Sequence, residues 1–229
     1  MGRSLRANEG GYVYHTLNRA NAGLPLFDKD GDYMAFERVL EEAREQVPLR
    51  ILAYCVMPNH WHLVLWPPDD GMLSRFVGWL TLTHTQRWHA HHQNTGSGHL
   101  YQGRFKSFPI QQDEHFLTVC RYTERNALRA RLVRRAENWR WSSLWRRQHG
   151  TERQRELLSE WPVPCPETWV EEVNAPQTEA ELEALRLCTR RGRPFGDETW
   201  AKETAAVLGL ETTLRSRGRP KQQQTGKGS

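Results

Sequence analysis

The order of the predicted secondary-structure elements restricts the fold of this 229-residue chain more than any other feature. Alternating and strand-forming residues predict four strands, and apolar residues at helical spacing predict two helices between them. The elements are a strand, a helix, two strands, a helix and a strand, covering residues 12–18, 32–46, 50–57, 60–66, 72–89 and 105–110. This is the order of the split βαβ arrangement. We therefore expect an α+β, ferredoxin-like fold, in which an antiparallel four-stranded sheet carries helices on one face.

Further helices are predicted after this core. Asp113 is a good N-cap for a helix that we expect to run to about Val133. A capping box at Thr178 opens another helix, and Gly209 stops the last one, over 198–208. The helix that starts at Asp113 has an apolar stripe of Leu117, Cys120, Ala127 and Leu128.

Positive charge is concentrated in two parts of the chain, whose formal net charge is +5. Residues 101–150 carry 11 basic and 4 acidic side chains, and residues 190–229 carry 9 and 4. Arginine dominates both, and its planar group suits phosphate, so nucleic acid is the favoured partner. We divide the chain into a main domain, 1–150, and a helical, basic C-terminal extension, 151–229, with a flexible end over Lys221–Ser229.

Several features bear on where such a chain works. No apolar run approaches 18 residues, and the first residues lack the apolar segment of a secretory signal. The cysteines are too scattered for a zinc knuckle or an evident disulfide framework; they are Cys55, Cys120, Cys165 and Cys188. We expect a cytoplasmic protein without a membrane partner.

Two histidines in the third predicted strand form a candidate metal site. His60 and His62 are two residues apart, so both point to one face of the sheet, while Trp61 and Leu63 point to the other. A divalent ion held by such a pair needs a third protein ligand and keeps open positions for substrate oxygens. On the residues alone, a structural role for the two histidines stays open.

The helix that starts at Asp113 offers partners for this pair. Tyr122 and Asn126 are four residues apart and therefore on the same side of the helix, away from its apolar stripe. Arg121, Arg125 and Arg129 border the same surface. Nearby positive charge favours the phenolate of a tyrosine, and a phenolate can attack phosphorus. The alternative is a surface tyrosine whose hydroxyl meets water.

Three sequence blocks together resemble a known family. They are MPNHWHLVL at 57–65, YQGRFKSF at 101–108 and RYTERNALRA at 121–130. In order and spacing they are similar to the single-tyrosine HUH transposases, and in particular to the REP-associated tyrosine transposases, bacterial relatives of insertion-sequence transposases that act on repetitive extragenic palindromes. The resemblance spans about residues 10–145 and is looser in the tail.

The resemblance implies a function for particular residues. His60 and His62 would be the ligands of Mg²⁺ or Mn²⁺, and Tyr122 the nucleophile. Asn126 would be the third ligand, where insertion-sequence relatives more often have Gln. Residues 1–150 would then form an HUH nuclease domain that cleaves single-stranded DNA, leaving a 5′-phosphotyrosine and a free 3′-OH. Insertion-sequence relatives form dimers, whereas the REP-associated branch can work as a monomer, so both states stay open.

Other basic residues are candidates for contacts with single-stranded DNA and DNA hairpins. Arg104 and Lys106 lie at the fourth predicted strand and can meet phosphate. Residues 198–214 are compatible with a helix-turn-helix or with an amphipathic helix packed on the core. Two tail segments with a Gly-Arg-Pro unit, RRGRP at 190–194 and RGRPK at 217–221, resemble minor-groove hooks, and their candidate residues are Arg191, Arg193, Arg217 and Arg219.

Three functional interpretations remain at this point. The first is a metal-dependent single-strand endonuclease and strand transferase with Tyr122 as nucleophile. The second is a hairpin-binding regulator that has the HUH fold without catalysis. The third is an unrelated metallohydrolase in which metal-bound water attacks and another histidine joins His60 and His62. Candidates for that further ligand are His84, His89, His91 and His92.

Overall fold

Four antiparallel strands form one sheet, in the order β2-β3-β1-β4. The computed structural model describes residues 7–93 and 98–215. Its strands are β1 (Val13–Arg19), β2 (Arg50–Met57), β3 (His60–Trp66) and β4 (Lys106–Ile110). Two helices follow β1 and β3: α1 (Asp30–Gln46) and α2 (Met72–His91). Strand β3 lies between β1 and β2, so the structure confirms the predicted ferredoxin-like arrangement.

Shorter helices follow β4. They are α3 (Glu114–Glu124), α4 (Asn126–Arg129), α5 (Ser143–His149), α6 (Glu152–Arg155), α7 (Trp169–Asn174), α8 (Glu179–Arg191), α9 (Glu198–Val207) and α10 (Glu211–Leu214). None of the helices within the described residues is long and apolar enough to cross a membrane.

The two faces of the sheet are covered differently. Trp61 and Leu63 belong to the hydrophobic cluster that contains Phe36 of α1 and Phe76 of α2. On the other face, Val64 belongs to a second cluster, with α3 and parts of the C-terminal extension. The period of two along β3 therefore sends Trp61 and Leu63 to the helix pair and leaves His60 and His62 on the face of α3.

The helix that begins at Asp113 is shorter in the structure than the predicted span, which ended at about Val133. Asp113 caps it as expected, its side chain accepting from the backbone N–H of His115. The helical path ends where Arg131 takes a left-handed φ of 60° and Leu132 N–H donates to the carbonyl of Ala127, a Schellman-type ending. The predicted stripe is partly correct. Cys120 and Ala127 are fully buried, Leu117 and Leu128 only partly, and the buried face also contains Phe116 and Val119.

The C-terminal extension packs on the same clusters as the sheet. Trp169, Val173 and Leu185 share a cluster with α3 and the sheet. Ala205 of α9, and Leu208 and Leu210 just after it, belong to the cluster of α1 and α2, as expected for an amphipathic helix packed on the core. The division at residue 150 stays a prediction about function, since hydrophobic packing crosses it.

The first predicted hook lies along the edge of the sheet. Gly192 ends α8 with a φ of 70°, and the chain then runs parallel to β4. Phe195 N–H donates to the carbonyl of Pro109, and its own carbonyl accepts from Gln111 N–H, both at 2.9 Å. The segment covers an edge strand that would otherwise be unpaired. The second hook, with Arg217 and Arg219, and the tail at Lys221–Ser229 lie outside the described residues.

Candidate active site

A cleft of about 470 Å³ opens on the face of the sheet that carries the two histidines. Its walls come from β1, β3, the segment before β4, the α3–α4 region and α8. The lining residues are Leu17, Asn18, Arg19, His60, His62, Gln102, Arg104, Lys106, Tyr122, Asn126, Arg129, Arg186, Thr189 and Arg190. No acidic side chain is among these described residues, so the cleft is suited to an anionic ligand.

His60 and His62 stand side by side in this cleft, with 5.0 Å between their ring centroids. The Nδ1 of His60 lies 2.7 Å from Oδ1 of Asn59. The Nδ1 of His62 lies 2.9 Å from Nε2 of His15, on β1. Each Nδ1 is therefore engaged in a side-chain hydrogen bond, which leaves Nε2 of each ring as the nitrogen for a ligand.

Burial keeps both rings neutral. It lowers the pKa of His60 to about 4, with a smaller effect from the charges of Arg19 and Arg129. It also holds the pKa of His62 well below its usual range, and the neighbouring His60 and His15 add to the shift. Neutral imidazole is the form that binds a metal ion.

Tyr122 lies against His62 rather than in bulk water. Its side chain is 9% exposed, and its ring stands edge-on to His62 with 5.7 Å between centroids. The guanidinium carbon of Arg129 lies 4.2 Å from the centroid of the tyrosine ring, a cation–π contact. Tyr122 is therefore a largely buried residue in the wall of the cleft.

Asn126 lies one helical turn beyond Tyr122, in α4, and is 4% exposed. Its Oδ1 accepts from Nη2 of Arg129 at 3.0 Å. The Nδ2 of Asn126 and the Nη1 of Arg129 are buried without a hydrogen-bond partner in the described structure. Buried donors normally have partners, so these two are suited to an acceptor oxygen of a ligand in the cleft.

Comparison with known proteins supplies the family. A family model described as "Transposase IS200 like" matches residues 10–126, just over half of the chain. The chain belongs to the IS200-like transposase family. The matched part of this transposase includes His60, His62, Tyr122 and Asn126.

One solved structure agrees with the fold. The transposase is similar to a REP-associated tyrosine transposase that was solved bound to a REP hairpin: 21% identity, TM-score 0.51, 69% of this chain and 89% of the other. A Deinococcus radiodurans R1 protein, described as a transposase candidate, is similar at 20% identity and a TM-score of 0.39, over 51% and 88% of the two chains. A search of curated protein sequences found no significant match.

The donor atoms of the transposase fit a divalent ion. His60 and His62 offer imidazole nitrogens, and Asn126 offers an amide oxygen from the other wall of the same cleft. A set of two nitrogens and one oxygen suits Mn²⁺, and Mg²⁺ when water or phosphate oxygens complete the shell. The unpartnered donors beside it suit the substrate phosphate that such an ion would bind.

The other histidines that were candidate ligands lie elsewhere. The Nδ1 of His84 lies 2.8 Å from the hydroxyl of Tyr101, and His84 packs on Phe36, on the opposite face of the sheet. His91 and His92 group with Asp32, where α1 begins. His89 is likewise not among the cleft residues that the structure describes. The four histidines therefore do not complete the site of His60 and His62.

The structure separates the arginines of the tyrosine helix. Arg129 lies in the cleft, but Arg121 donates to the carbonyls of Ala175 and Pro176 at 3.0 and 2.9 Å. Arg125 donates to the carbonyl of Val173 at 2.8 Å. The expectation that all three border Tyr122 is therefore corrected, because two of them satisfy carbonyls at the end of α7.

The remaining basic residues divide in a similar way. Arg104 and Lys106 are exposed and line the cleft, as expected for DNA contacts. Arg191 and Arg193 are partly exposed and do not line the described cleft. Instead α8 contributes Arg186, Thr189 and Arg190, which the sequence analysis did not select. Their spacing of three and four on a predicted helix was the available signal.

Proposed function

We propose that the transposase cuts single-stranded DNA beside a hairpin, with Tyr122 as nucleophile and a divalent ion held by His60, His62 and Asn126. The observation that carries the proposal is the contact between Tyr122 and His62, 5.7 Å between ring centroids, inside one cleft of a single chain. A nucleophile beside a candidate metal site is the arrangement that phosphoryl transfer requires.

The chemical step exchanges one phosphate ester for another. The Oη of Tyr122 bonds to the scissile phosphorus while the bond from phosphorus to the 3′ oxygen breaks. The tyrosine hydroxyl loses a proton and the leaving 3′ oxygen gains one, so charge and atoms balance. A bound divalent ion supplies Lewis-acid polarisation of the phosphate. The phosphotyrosine retains the ester bond, and attack by another 3′-OH rejoins DNA without a separate energy source.

Arg129 and Asn126 have distinct tasks in this step. The Nη1 of Arg129 and the Nδ2 of Asn126 are buried donors without partners, and a non-bridging phosphate oxygen would satisfy them. Negative charge that develops on the phosphate is then met by donors already in place. The stacking of Arg129 on Tyr122 also restricts the position of the phenol ring.

Size and charge favour a single strand in the cleft. A volume of about 470 Å³ is in the range of small-ligand pockets, roughly 300–1,000 Å³, which suits a nucleotide or two rather than a duplex. Arg104 and Lys106 on one wall and Arg186 and Arg190 on the other would hold the flanking phosphates. Thus α8, in the C-terminal extension, contributes to the nuclease site.

A hairpin is the proposed neighbour of the cut. The relative of known structure was solved with a REP hairpin, and the three sequence blocks of this chain resemble those of the REP-associated branch. We propose that a hairpin formed by a REP-like palindrome binds outside the cleft. We also propose that the protein acts in the cytoplasm. We further propose that Tyr122 acts on DNA bound at the histidines of its own chain, since Tyr122 and both histidines line one cleft.

The test uses labelled DNA hairpins with single-stranded flanks, taken from repeats next to the protein's own gene. The protein and its Tyr122→Phe variant are incubated with Mn²⁺, Mg²⁺ or a chelator and separated on a denaturing gel. We expect a covalent protein–DNA band that requires metal and is absent with Phe. Tight binding with neither cleavage nor a covalent band would favour the non-catalytic regulator. Cleavage that persists in Tyr122→Phe would show that Tyr122 is not the nucleophile.

A further inference from the structure

His15 lies directly behind the candidate metal ligand His62. In the β1–β3 ladder Leu17 is opposite His62 and His15 is opposite Val64, so His15 and His62 are diagonal neighbours on one face. The Nε2 of His15 lies 2.9 Å from the Nδ1 of His62. The two side chains are 1% and 3% exposed, and Phe108 packs against His15 with 4.9 Å between ring centroids.

A hydrogen bond between two ring nitrogens contains one proton, and its position decides what His62 can do. If His62 Nδ1–H donates to His15, the Nε2 of His62 is a bare lone pair that faces the cleft. If His15 Nε2–H donates, the proton of neutral His62 sits on its own Nε2, which then cannot bind a metal ion. The two arrangements have the same heavy-atom geometry and opposite consequences for the site.

We propose that His15 is a positioning residue, which accepts the Nδ1–H of His62 and thereby keeps His62 in the tautomer that binds metal. The inference rests on the proposed function, because it assumes that His62 is a ligand. The other ligand has an equivalent arrangement, since Nδ1 of His60 faces Oδ1 of Asn59 at 2.7 Å. A carboxylate is the more familiar partner of a ligating histidine, but at this 1% exposed position it would be a buried charge, whereas imidazole accepts as a neutral group.

The first measurement is the tautomer of His62 in the metal-free protein, read from ¹⁵N chemical shifts of the imidazole nitrogens. Three proteins are compared: wild type, His15→Gln, whose side-chain oxygen can accept a hydrogen bond, and His15→Leu, which has no acceptor. We expect His62 to carry its proton on Nδ1 in wild type and in the Gln variant, and on Nε2 in the Leu variant. Asn59→Ala is the matched control, which should alter His60 and leave His62 unchanged.

The second measurement is Mn²⁺ binding without DNA, by titration calorimetry. We expect Kd to rise about 10- to 100-fold in His15→Leu, the usual effect of removing the partner of a metal-bound histidine, and to change little in His15→Gln. A proton on Nε2 of His62 in the wild type would overturn the proposal, whatever the variants do. So would an unchanged tautomer and Kd in a folded His15→Leu.

The experiments distinguish an error in the proposed metal site from an error in the proposed positioning role of His15. Wild type that binds no Mn²⁺ would contradict the proposed function, while the wild-type ¹⁵N spectrum would still decide which ring carries the shared proton. Circular dichroism and thermal melting separate a folding defect in the Leu variant from a change at the site. The Gln variant then provides the rescue that a purely structural role of His15 would not require.

Discussion

The carboxylate oxygen Oε2 of Glu124 accepts a hydrogen bond from the indole N–H of Trp169 at 2.8 Å. This contact joins the last residue of α3, two positions after Tyr122, to the first residue of α7 in the C-terminal extension. Glu124 is fully buried, and its Oε1 also contacts the hydroxyl of Ser143. A buried acid at this point ties the position of the tyrosine helix to a residue more than forty places along the chain.

The protonated form of Glu124 satisfies this network best. Tyr54 N–H donates to the Oγ of Ser143 at 2.9 Å, and that hydroxyl lies 3.2 Å from the carbonyl of Tyr54. If Glu124 donates to Ser143, the Ser143 hydroxyl is free to donate to the carbonyl. Burial raises the pKa of Glu124, and this effect outweighs the hydrogen bond with Ser143, the charge of Arg147 and the hydrogen bond with Trp169, which all lower it. Burial therefore favours the neutral carboxyl more strongly than water does.

We expect Glu124→Gln to keep stability and Glu124→Ala to reduce it by about 1–3 kcal/mol, since Ala leaves the Trp169 N–H buried and unpaired. The amide of Gln can donate to Ser143 and accept from Trp169 as the protonated acid does. Urea unfolding near pH 4, where the carboxyl of wild type is largely protonated in both the folded and the unfolded state, measures both. Equal stability of the Ala and Gln variants would contradict the network.

The same acid predicts a pH dependence of stability. Because the folded-state pKa of Glu124 is raised, its contribution is complete below the unfolded-state pKa, about 4.3, and is lost as pH rises through the folded-state pKa. Gln does not titrate, so the stability of Glu124→Gln relative to wild type should increase from about pH 4 upward. The measurement is urea unfolding of both proteins at a series of pH values. If the difference between their free energies of unfolding does not change with pH, Glu124 has the same pKa in the folded and the unfolded state.

Arg129→Lys tests the contact with Tyr122. Lysine keeps the positive charge, but it cannot both lie over the tyrosine ring and donate to Oδ1 of Asn126, as the guanidinium does. We expect the covalent DNA adduct to form about 100-fold more slowly in single turnover, the usual effect of losing one donor to a developing charge. The control is Arg134→Lys, at an exposed arginine outside the described cleft. Equal slowing in both variants would exclude a specific role for Arg129.

Local patterns predicted the fold and the centre of the candidate site. The period of two in β3 put His60 and His62 on one face, and a separation of four put Asn126 one turn from Tyr122. Neither result needs knowledge of distant contacts. The helix end at Arg131 was missed because an arginine with a left-handed φ has no sequence signature, unlike a glycine.

Distant contacts account for the other differences. The charge pattern of the sequence does not distinguish Arg125, which donates to a carbonyl of α7, from Arg129, which lines the cleft. His15 is one of ten histidines, and its role depends on strand pairing that brings it to His62. The position of α8 beside the cleft depends on where the chain turns at Gly192 and pairs with β4.

Two glycines give a matched pair of stability predictions. A Cβ on Gly10 would lie 2.5 Å from both the Cα of Asp69 and the carbonyl oxygen of Pro68, which are backbone atoms that no rotamer change can move. A Cβ on Gly78, in the middle of α2, would meet nothing within 4 Å. We expect Gly10→Ala to lower the free energy of unfolding by about 1–3 kcal/mol and Gly78→Ala to raise it by about 0.5–1 kcal/mol. Thermal melting measures both, and a tolerated Gly10→Ala would contradict the close approach of the two turns.

Replacing Arg186 and Arg190 together by Gln tests whether α8 holds DNA. Each arginine has an exposed acidic partner on the same helix, Glu179 at 3.7 Å and Glu183 at 2.6 Å. Exposed ion pairs of this kind contribute little to stability. Each arginine can therefore leave its glutamate and bind a DNA phosphate at a small cost in free energy. In the Tyr122→Phe background, which prevents cleavage, we expect weaker binding of single-stranded DNA. The slope of log K against log salt is negative, and its magnitude should fall by about 1.4, or 0.7 for each lost phosphate contact.

The control for α8 removes the same charge elsewhere. Arg38 and Arg153 are exposed and line a separate cavity, between α1 and α6. Their double Gln variant changes net charge equally, so it corrects for long-range attraction between protein and DNA. If both double variants reduce the magnitude of the slope of log K against log salt by the same amount, α8 contributes only to the long-range attraction between protein and DNA. If only the α8 variant does, its arginines contact phosphate directly, and the C-terminal extension forms part of the DNA-binding cleft.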